Sequence, residues 1–439
     1  MKYYPLFRKM VLILGDVLCL YGATFFAMIL ELGLKPHQKT AFHMEFLPIL
    51  IILMFFMFNV YGLFSIVRKR LMDIFLNLIV AVINIYVIAM AITFFIRSFD
   101  FSRIVLVYSA VLSLILLAIW NYVCQRWEVA NLPKYKIVVI ANKEEQKELT
   151  EKIDRTYGIT GCVKKYSDVQ NDEFWKNKID ESTVVLIGNS IPIEVREKII
   201  YYARLKNKFV TLIPSFYEIS CQKMYLWKID DIPVQRLSRM LLTPEERFLK
   251  RGLDLVVATI ALILLAPVML ITAVIVKMDS PGPAIYSQVR VGRFGKEFKV
   301  HKFRSMRKDA EKLSGPVLAG ENDPRITRFG RFMRATRLDE LPQLINVIAG
   351  DMSIVGPRPE RPFFVEQFIK EKPEYAYRHN VKPGITGFAQ VAARYNTTAY
   401  DKLVYDLLYI QQIGIKTDLL IMLQTLKVLI TKESTEGVK

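Results

Sequence analysis

The sequence predicts three parts in order: a helical membrane domain, a small α/β domain, and a mostly helical C-terminal domain that contains another apolar helix. Three observations support this fold class. Four apolar runs lie within the first 125 residues, β-branched runs alternate with helical patterns between about 131 and 245, and a long apolar run containing Pro267 follows. We therefore expect domains at 1–130, 131–245 and 246–439.

The composition agrees with a membrane part joined to a water-exposed part. Apolar residues make up 52% of the 439 residues, above the roughly 45–50% of soluble domains, while 23% are charged. This mixture excludes a disordered chain and argues against a channel built wholly in the membrane. The net charge of +18 suits nucleic acid, anionic lipid or phosphate-bearing substrates. Four scattered cysteines without a CxxC pair indicate neither a disulfide framework nor a zinc site, and fit a reducing cytosolic face.

The first domain is predicted to cross the membrane four times, since each apolar run approaches the ~20 residues that span a ~30 Å hydrocarbon core. Four buried helices of a soluble bundle are the alternative, but whole runs lack the charges of a polar helix face. Basic residues favour the N-terminal side of the first run and the segments after the second and fourth runs, which predicts a cytoplasmic N-terminus and C-terminal part. The runs are Met10–Leu30, Phe46–Val67, Leu76–Ile96 and Ile104–Val123.

The α/β domain is predicted from three β-branched runs, at Tyr135–Ala141, Ser182–Gly188 and Lys208–Ile213. Strands that alternate with helices are typical of a parallel sheet. A dinucleotide site requires Gly-x-Gly-x-x-Gly after the first strand, whereas residues 141–144 read Ala-Asn-Lys-Glu, without glycine and with an acid in the phosphate position. We therefore expect a degenerate Rossmann-like domain with a regulatory, folding or oligomerisation role.

The fifth apolar run, Leu253–Val276, is long enough to span a membrane but has Pro267 near its centre. Proline removes a helical hydrogen bond and tends to kink the axis. The run can cross the membrane and place the rest of the chain outside, or dip in and return as a re-entrant helix over about 250–278. We favour re-entry because the residues that follow are basic and suited to reactions of phosphate groups. Nucleotide donors are cytoplasmic, so this part of the chain is expected on the cytoplasmic side.

The region after this run is strongly basic. Between Pro281 and Ile345 there are 14 Lys or Arg and 7 Asp or Glu. Arginines recur there at every third position, which can form a basic face against anionic lipid headgroups or a cradle for phosphate oxygens. We expect Arg334 and Arg337, at the end of this stripe, to face substrate. The five arginines are Arg325, Arg328, Arg331, Arg334 and Arg337.

Asp339 and Glu340 directly follow the stripe. From the residues alone two interpretations stay open. The pair can belong to a salt-bridged surface. Alternatively, one carboxylate can attack phosphorus to form an acyl phosphate, while the other helps to hold Mg²⁺, which prefers one or two carboxylates plus substrate phosphates.

Seven blocks of the C-terminal domain occur in a distinctive order and spacing. They are KRGLDL at 250–255, the proline-containing run, SQVRVGR at 287–293, HKFRSM at 301–306, RLDELPQLINVIAGDMSIVGPRPE at 337–360, KPGITGFAQV at 382–391 and YDLLYI at 405–410. In these blocks the chain resembles the bacterial sugar transferase family, the polyprenyl-phosphate hexose-1-phosphate transferases or phosphoglycosyl transferases. The whole chain resembles their polytopic branch.

The resemblance implies an enzyme that transfers a hexose-1-phosphate from a UDP-sugar to undecaprenyl phosphate, releases UMP, and initiates exopolysaccharide, capsule or O-antigen synthesis. It implies that Asp339 is the nucleophile and Glu340 the partner of Mg²⁺. It also implies a re-entrant helix in a multi-pass protein of the bacterial inner membrane, with the catalytic domain on the cytoplasmic side. At the helix break the family often has Ser-Pro, where this chain has Ala266-Pro267.

The resemblance also places several side chains at the phosphates or the nucleotide of the substrates, and Arg337 joins them from the arginine stripe. These residues are Lys302, Arg304, Arg334, Arg358, Gln288 and Arg290. Asp406 and Asp418 match family positions to which the sequence assigns no role.

Other functions agree less well with the sequence. A non-catalytic membrane scaffold or regulator of polysaccharide assembly is the alternative, and it predicts that substitution of Asp339 changes stability alone. A redox role is disfavoured by the missing glycines. Nucleic-acid binding is disfavoured because the positive charge belongs to a membrane-embedded region without a nucleic-acid module. The middle domain is a candidate contact for a homodimer, but the sequence specifies neither the oligomeric state nor the sugar.

Overall fold

The computed structural model describes residues 4–32, 38–64, 71–95, 102–131, 136–157, 163–167, 172–222, 224–229, 232–237, 240–307, 323, 325–393 and 397–430. The chain forms two compact units, Met1–Pro214 and Ser215–Lys439. Helices dominate the described residues, in agreement with the predicted fold class. The boundary expected near residue 245 lies inside the second unit.

The first unit begins with four helices, which are α1 (Tyr4–Leu32), α2 (Gln38–Val60), α3 (Leu71–Phe95) and α4 (Arg103–Asn131). Helices α1, α3 and α4 are long and apolar enough to cross a membrane, and the apolar part of α2 covers Phe46–Val60. Large apolar side chains stay exposed on this unit, including Leu18 at 68% and Phe95 at 81%. An aqueous surface seldom carries so many such side chains together, so these helices suit a lipid environment.

Helices α1 and α4 approach closely because Gly15 lies against the indole of Trp120, where a Cβ atom would overlap the ring. The same indole donates a hydrogen bond to the Leu12 carbonyl at 3.2 Å. Farther along the pair, the Asn121 amide donates to the buried Asp16 carboxylate at 3.1 Å. Small residues and interhelical hydrogen bonds are the usual means of association in lipid, because lipid removes the hydrophobic drive between helices.

A four-stranded parallel sheet follows, in the strand order β2–β1–β3–β4. Its strands are β1 (Lys136–Ile140), β2 (Val163–Ser167), β3 (Val184–Ile187) and β4 (Phe209–Leu212), connected by α5 (Lys143–Tyr157), α6 (Asp172–Asp180) and α7 (Ile193–Leu205). Each predicted β-branched run contains one strand. The remaining strand, β2, reads Val-Lys-Lys-Tyr-Ser and lacks an apolar pattern, so the sequence does not predict it.

The second unit contains short sheets among helices. Its elements are α8 (Phe216–Ser220), β5 (Met224–Ile229), β6 (Ile232–Leu237), α9 (Pro244–Asp279), β7 (Ile285–Val291), β8 (Glu297–Phe303), α10 (Arg328–Thr336), α11 (Gln343–Ala349), β9 (Ser353–Val355), α12 (Pro362–Glu371), β10 (Gly384–Thr386), α13 (Phe388–Ala392), α14 (Ala399–Gln411) and α15 (Ile415–Ile430). β5–β6 and β7–β8 pair antiparallel, and β9–β10 pair parallel.

Helix α9 carries the fifth apolar run. Thr243 and Glu246 form a capping box, and Pro244 occupies the first turn, which together set its start. The helix continues through Pro267 for 36 residues, so the proline removes one internal hydrogen bond without ending the helix. Only 11% of the apolar window of α9 is buried. Most of its surface therefore faces outward, as in a helix that contacts lipid.

The start of α9 is fixed by two buried charges. Lys250 Nζ donates to the Val355 carbonyl at 3.0 Å and pairs with Asp418 at 2.6 Å. Asp254 accepts from the Ser353 hydroxyl at 2.9 Å. These bonds join α9 to β9 and α15, which gives Asp418 a structural role that the sequence did not assign.

The end of α9 is fixed by Arg304. Its buried guanidinium donates to the Ser280 carbonyl at 2.5 Å and to the Val276 carbonyl at 3.4 Å, while Phe303 and Met333 pack against Val276. Both flanks of the apolar stretch therefore contact the same folded unit.

Candidate active site

The carboxylate pair lies on a sharp turn between α10 and α11. Arg337 ends α10 with a φ of 57°, and a 3₁₀ turn over Leu338–Glu340 follows at once. A non-glycine residue with positive φ costs free energy, and such residues concentrate at functional sites. The turn places Asp339 and Glu340 at the junction of two helices, beside β8.

Glu340 is buried and held by cations. Its Oε1 atom accepts hydrogen bonds from Lys302 Nζ at 2.9 Å and Arg358 Nη2 at 2.7 Å, and its Oε2 atom lies 3.8 Å from Arg337 Nη1. Burial alone would raise the pKa of Glu340, but the charges of Arg358 and Lys302 hold the pKa well below its ordinary value. Glu340 therefore stays ionised and fixed in position.

Asp339 is in the opposite situation. No described residue forms a hydrogen bond with its carboxylate. Burial and the neighbouring charge of Glu340 raise the pKa of Asp339, although Lys302, Arg334 and Arg358 act against this shift. A carboxylate that lacks hydrogen bonds and has a raised pKa is more basic than an ordinary aspartate, which favours its use as a nucleophile.

Lys302 is the third group at this centre. Burial lowers the pKa of Lys302, while the charge of Glu340 acts in the opposite direction. The ammonium group reaches the turn because β8 pairs with β7 along its full length, with Lys302 opposite Tyr286. The Arg334 guanidinium approaches from α10 and donates to the Ser305 hydroxyl at 2.9 Å.

Arg358 reaches Glu340 from the loop after β9. The Arg358 carbonyl accepts a hydrogen bond from Arg378 Nη2 at 2.9 Å, and the same Arg378 nitrogen lies 2.8 Å from Asp406. Arg378 also donates to the Tyr375 hydroxyl. The sequence suggested no role for Arg378, which is buried together with Asp406. The sequence near Arg378 offers one indication of such a role, since Tyr375, which accepts its hydrogen bond, lies three positions earlier.

Arg290 holds the other side of this loop. Its Nη1 atom donates to the Pro359 carbonyl at 3.0 Å and to Glu360 at 3.3 Å, while its Nε and Nη2 atoms donate to the Gln288 side chain at 3.1 and 2.7 Å. The guanidinium of Arg358 is therefore positioned by contacts on both sides of its backbone. A cleft opens beside it, lined by Arg290, Val300, Lys302, Gln343, Arg358, Pro359 and Gly384.

The structure thus brings Lys302, Arg334, Arg337 and Arg358 around the carboxylate pair, with Arg290 and Gln288 behind the Arg358 loop. Arg304 is placed elsewhere, on the carbonyls at the end of α9. Its side chain points there because successive positions of a strand face opposite sides and Arg304 directly follows the end of β8. A phosphate contact by Arg304 stays a prediction.

The sequence predicts an acid in the phosphate position after the first strand. The structure has an acid at this carboxyl end of β1, but it is Glu145 and not Glu144. The Glu145 carboxylate accepts the backbone N–H groups of Asn189 at 2.7 Å and Ser190 at 2.9 Å. These groups follow β3, beside the end of β1, at the point where the strand order switches direction and where parallel sheets bind ligands. Glu145 therefore occupies the position of an anionic ligand.

Comparison with known proteins agrees with the geometry of the second unit. A family model described as bacterial sugar transferase matches residues 245–432. The exopolysaccharide production protein PSS of Rhizobium leguminosarum bv. phaseoli is 40% identical over 200 residues, which cover 43% of this chain and 96% of that protein. The chain belongs to the bacterial sugar transferase family.

Two longer relatives are named for a reaction. A UDP-N-acetylgalactosamine-undecaprenyl-phosphate N-acetylgalactosaminephosphotransferase of Aeromonas hydrophila is 44% identical over 207 residues, covering 46% of this chain and 49% of that protein. A UDP-glucose:undecaprenyl-phosphate glucose-1-phosphate transferase of Escherichia coli K12 is 43% identical over 221 residues, covering 49% and 47%. The match spans about half the length of these relatives. A model described as a CoA-binding domain matches residues 57–185.

The sugar transferase site offers a limited donor set for a metal ion. Within the described residues, no three His, Cys, Asp or Glu side chains lie together as metal ligands. Asp339 and Glu340 supply carboxylate oxygens, but Lys302, Arg334, Arg337 and Arg358 surround them with an excess of positive charge. A Mg²⁺ ion at these carboxylates would therefore need oxygens of substrate phosphates to complete its coordination shell, which is the manner in which proteins usually hold this ion.

Proposed function

We propose that this chain transfers a sugar-1-phosphate from a UDP-sugar to undecaprenyl phosphate and releases UMP, as the first step of cell-surface polysaccharide synthesis. The observation that carries the proposal is the contrast within the carboxylate pair. Glu340 is fixed by Lys302 and Arg358, while Asp339 lacks a hydrogen-bond partner among the described residues and has a raised pKa. The names of the relatives supply the donor and acceptor classes.

The reaction follows from this arrangement in two displacements. An Asp339 carboxylate oxygen attacks the sugar-bearing phosphorus, an acyl phosphate bond forms, and the bond to the UMP oxygen breaks so that UMP leaves with the electron pair. A phosphate oxygen of undecaprenyl phosphate then attacks the same phosphorus. The acyl phosphate bond breaks, Asp339 returns as a carboxylate, and undecaprenyl-diphosphate-sugar is released.

In this scheme the cations contribute more to catalysis than the covalent step does. Phosphoryl transfer depends mainly on position and on neutralisation of charge around the transferring group. Lys302, Arg334, Arg337 and Arg358 provide that charge. Asp339 and Glu340 would hold Mg²⁺ together with the donor diphosphate, and the ion would supply further neutralisation of the phosphate oxygens.

We also propose that α9 bends at Pro267 inside the membrane, so that both of its ends lie on the same side, below a cytoplasmic catalytic centre. Support comes from Lys250 and Arg304, which attach the two flanks of the apolar stretch to one folded unit. A single crossing would place one of these flanks on the opposite side of the membrane. The pattern of basic residues around α1–α4 supports a cytoplasmic position for this unit. We further propose that the four-stranded sheet is a Rossmann-like element without a dinucleotide site.

The test is UMP release by purified full-length protein in nanodiscs with undecaprenyl phosphate and Mg²⁺. UDP-glucose, UDP-galactose and their N-acetylated counterparts are supplied separately. We expect one of these donors to give UMP in a lipid-dependent reaction that Asp339→Asn abolishes. Asp279→Asn is the matched control, since Asp279 is an exposed aspartate at the end of α9.

Intact-mass measurement separates the covalent route from a direct transfer. Without acceptor lipid, the wild-type chain should gain the mass of one sugar-phosphate, and Asp339→Asn should gain none. UMP release without this adduct would overturn the covalent step alone. Folded protein that neither releases UMP nor gains mass with any donor would instead favour the scaffold alternative.

A further inference from the structure

A second group of cations lies near the start of α9, away from the carboxylate pair. Gly350 ends α11 with a φ of 99°, and a Cβ atom on this residue would lie 3.6 Å from Arg251 Nη2 and 3.7 Å from Lys382 Nζ. The two nitrogen atoms are therefore at most 7.3 Å apart, the sum of these distances. Two cations at this separation can both reach one phosphate group, whose oxygens accept hydrogen bonds at about 2.7–2.9 Å.

The two cations differ in how they are held. Arg251 is fixed, because its guanidinium donates to the Val347 carbonyl at 2.6 Å and to the Ile348 carbonyl at 2.8 Å. Lys382 Nζ donates to no described residue, although the side chain is half-buried. Burial and the nearby charge of Arg251 lower the pKa of Lys382. A half-buried ammonium beside other cations is stabilised when an anion joins it.

Two more arginines extend this group. Arg293 Nε donates to the carbonyl of Asn380, two residues before Lys382, at 3.2 Å. The charge of Arg293 lowers the pKa of Lys382, and Arg247 acts in the same way on Arg293. The acids near Lys382 are Asp254 and Asp351. Asp254 is already bonded to the Ser353 hydroxyl and the Ile354 N–H. Around Lys382, the three cations Arg251, Arg293 and Lys382 thus exceed the two acids by one charge.

The group lies at the start of the apolar helix α9, and its Arg293 is distant from Lys302 of the catalytic centre. Arg293 lies in the turn of the β7–β8 hairpin, whereas Lys302 lies near the other end of β8, about 17 Å away at ~3.4 Å per residue. Arg251 precedes the apolar run of α9 by two residues. A helix that enters the membrane at this point places Arg251 at the level of the lipid phosphates.

We propose that Arg251, Arg293 and Lys382 form a phosphate-binding site distinct from the site of sugar-phosphate transfer. The planar guanidinium groups match phosphate oxygens, and the lysine adds a compact charge. An anionic lipid headgroup and a free phosphate share this chemistry. The headgroup is the favoured source because the apolar surface of α9 begins beside the site, so one lipid can contact both.

The test uses the full-length protein in a neutral detergent and follows its melting temperature against ligand concentration. Dihexanoyl phosphatidylglycerol is the lipid probe, dihexanoyl phosphatidylcholine is its zwitterionic counterpart, and inorganic phosphate is the free anion. Lys382→Gln and Arg293→Gln are compared with Lys277→Gln, which removes an exposed lysine at the other end of α9.

We expect phosphatidylglycerol to stabilise the wild-type protein, and each site variant to bind it about tenfold more weakly. Stronger stabilisation by inorganic phosphate, lost in the same variants, would support the site and assign it to a free anion. The proposal is overturned if Lys277→Gln weakens binding as much as Lys382→Gln, or if no probe stabilises the wild-type protein. Two site variants keep the test valid when one of them folds poorly.

Discussion

Each of the two units has a carboxylate among groups that are suited to bind phosphate, but the surroundings of the two carboxylates are opposite. Glu145, at the sheet edge, accepts two backbone N–H groups. Asp339 has no hydrogen-bond partner among the described residues and faces a group of cations. A carboxylate whose hydrogen bonds are satisfied fills a ligand position, whereas Asp339 stays basic because burial and the charge of Glu340 outweigh the neighbouring cations. This difference explains why one acid is structural and the other is the candidate nucleophile.

The largest expected effect comes from exchanging each acid for its amide. Asp339→Asn should lower UMP release about a thousandfold or more, because an amide cannot form the acyl phosphate. Glu145→Gln should leave the rate per folded molecule unchanged. The rates are measured in nanodiscs, with circular dichroism as the control for folding. Equal losses in the two variants would contradict the assignment of different roles.

The next largest effect is expected when the hydrogen bond from Arg378 to the Arg358 carbonyl is removed. Arg378→Met removes the donor to the Arg358 carbonyl and leaves Asp406 buried without its cation, which should cost about 3–5 kcal/mol of stability. A displaced Arg358 should also lower kcat about a hundredfold. Melting temperature and kcat are measured on the same preparations.

The double variant Arg378→Met/Asp406→Leu separates these two consequences. Replacement of a buried ion pair by apolar residues often restores stability, but it does not restore a donor to the Arg358 carbonyl. We therefore expect recovery of the melting temperature with kcat still low. Recovery of both quantities would show that Arg378 acts on stability alone.

The pH dependence of the first displacement tests the electrostatics of the pair. Burial and the charge of Glu340 raise the pKa of Asp339, and protonated Asp339 cannot attack phosphorus. Single-turnover UMP release should therefore fall as the pH drops through a value above the ordinary 3.8 of an aspartate. Glu340→Gln removes one cause of the raised pKa, so the residual activity of this variant should fall at a lower pH. A shift in the opposite direction would refute this account.

Much of the architecture could be predicted because it depends on local patterns. Run length and hydropathy predicted α1–α4 and α9, and β-branched runs predicted β1, β3 and β4. Residues 337–340 were found from a motif in which the arginines and acids are neighbours. Arg378 and Glu145 could not be found in this way, since their partners lie 20 and 44 residues away. The path of Arg304 to the end of α9 likewise depends on tertiary packing.

A smaller effect concerns Mg²⁺. The cations around the carboxylate pair repel a free divalent ion, and the donor diphosphate reverses the local charge. The apparent affinity for Mg²⁺ should therefore rise more than about tenfold when the active UDP-sugar is present. Isothermal titration of the wild-type protein measures both states, with a non-cleavable methylene-bisphosphonate analogue of the UDP-sugar as the donor. Equal affinities with and without donor would mean that the protein forms the metal site alone.

The smallest expected effect lies at the sheet edge. Glu145→Ala leaves the N–H groups of Asn189 and Ser190 without their acceptor, which should destabilise the α/β fold by about 1–3 kcal/mol. Glu144→Ala is the matched control, because Glu144 is exposed and adjacent. If Glu145 occupies the anion position, coenzyme A should raise the melting temperature of Glu145→Ala and leave the wild type and Glu144→Ala unchanged, since its phosphates can accept the vacated N–H groups. Stabilisation of the wild type by coenzyme A would show instead that the ligand binds beside Glu145 and that the carboxylate does not fill the site.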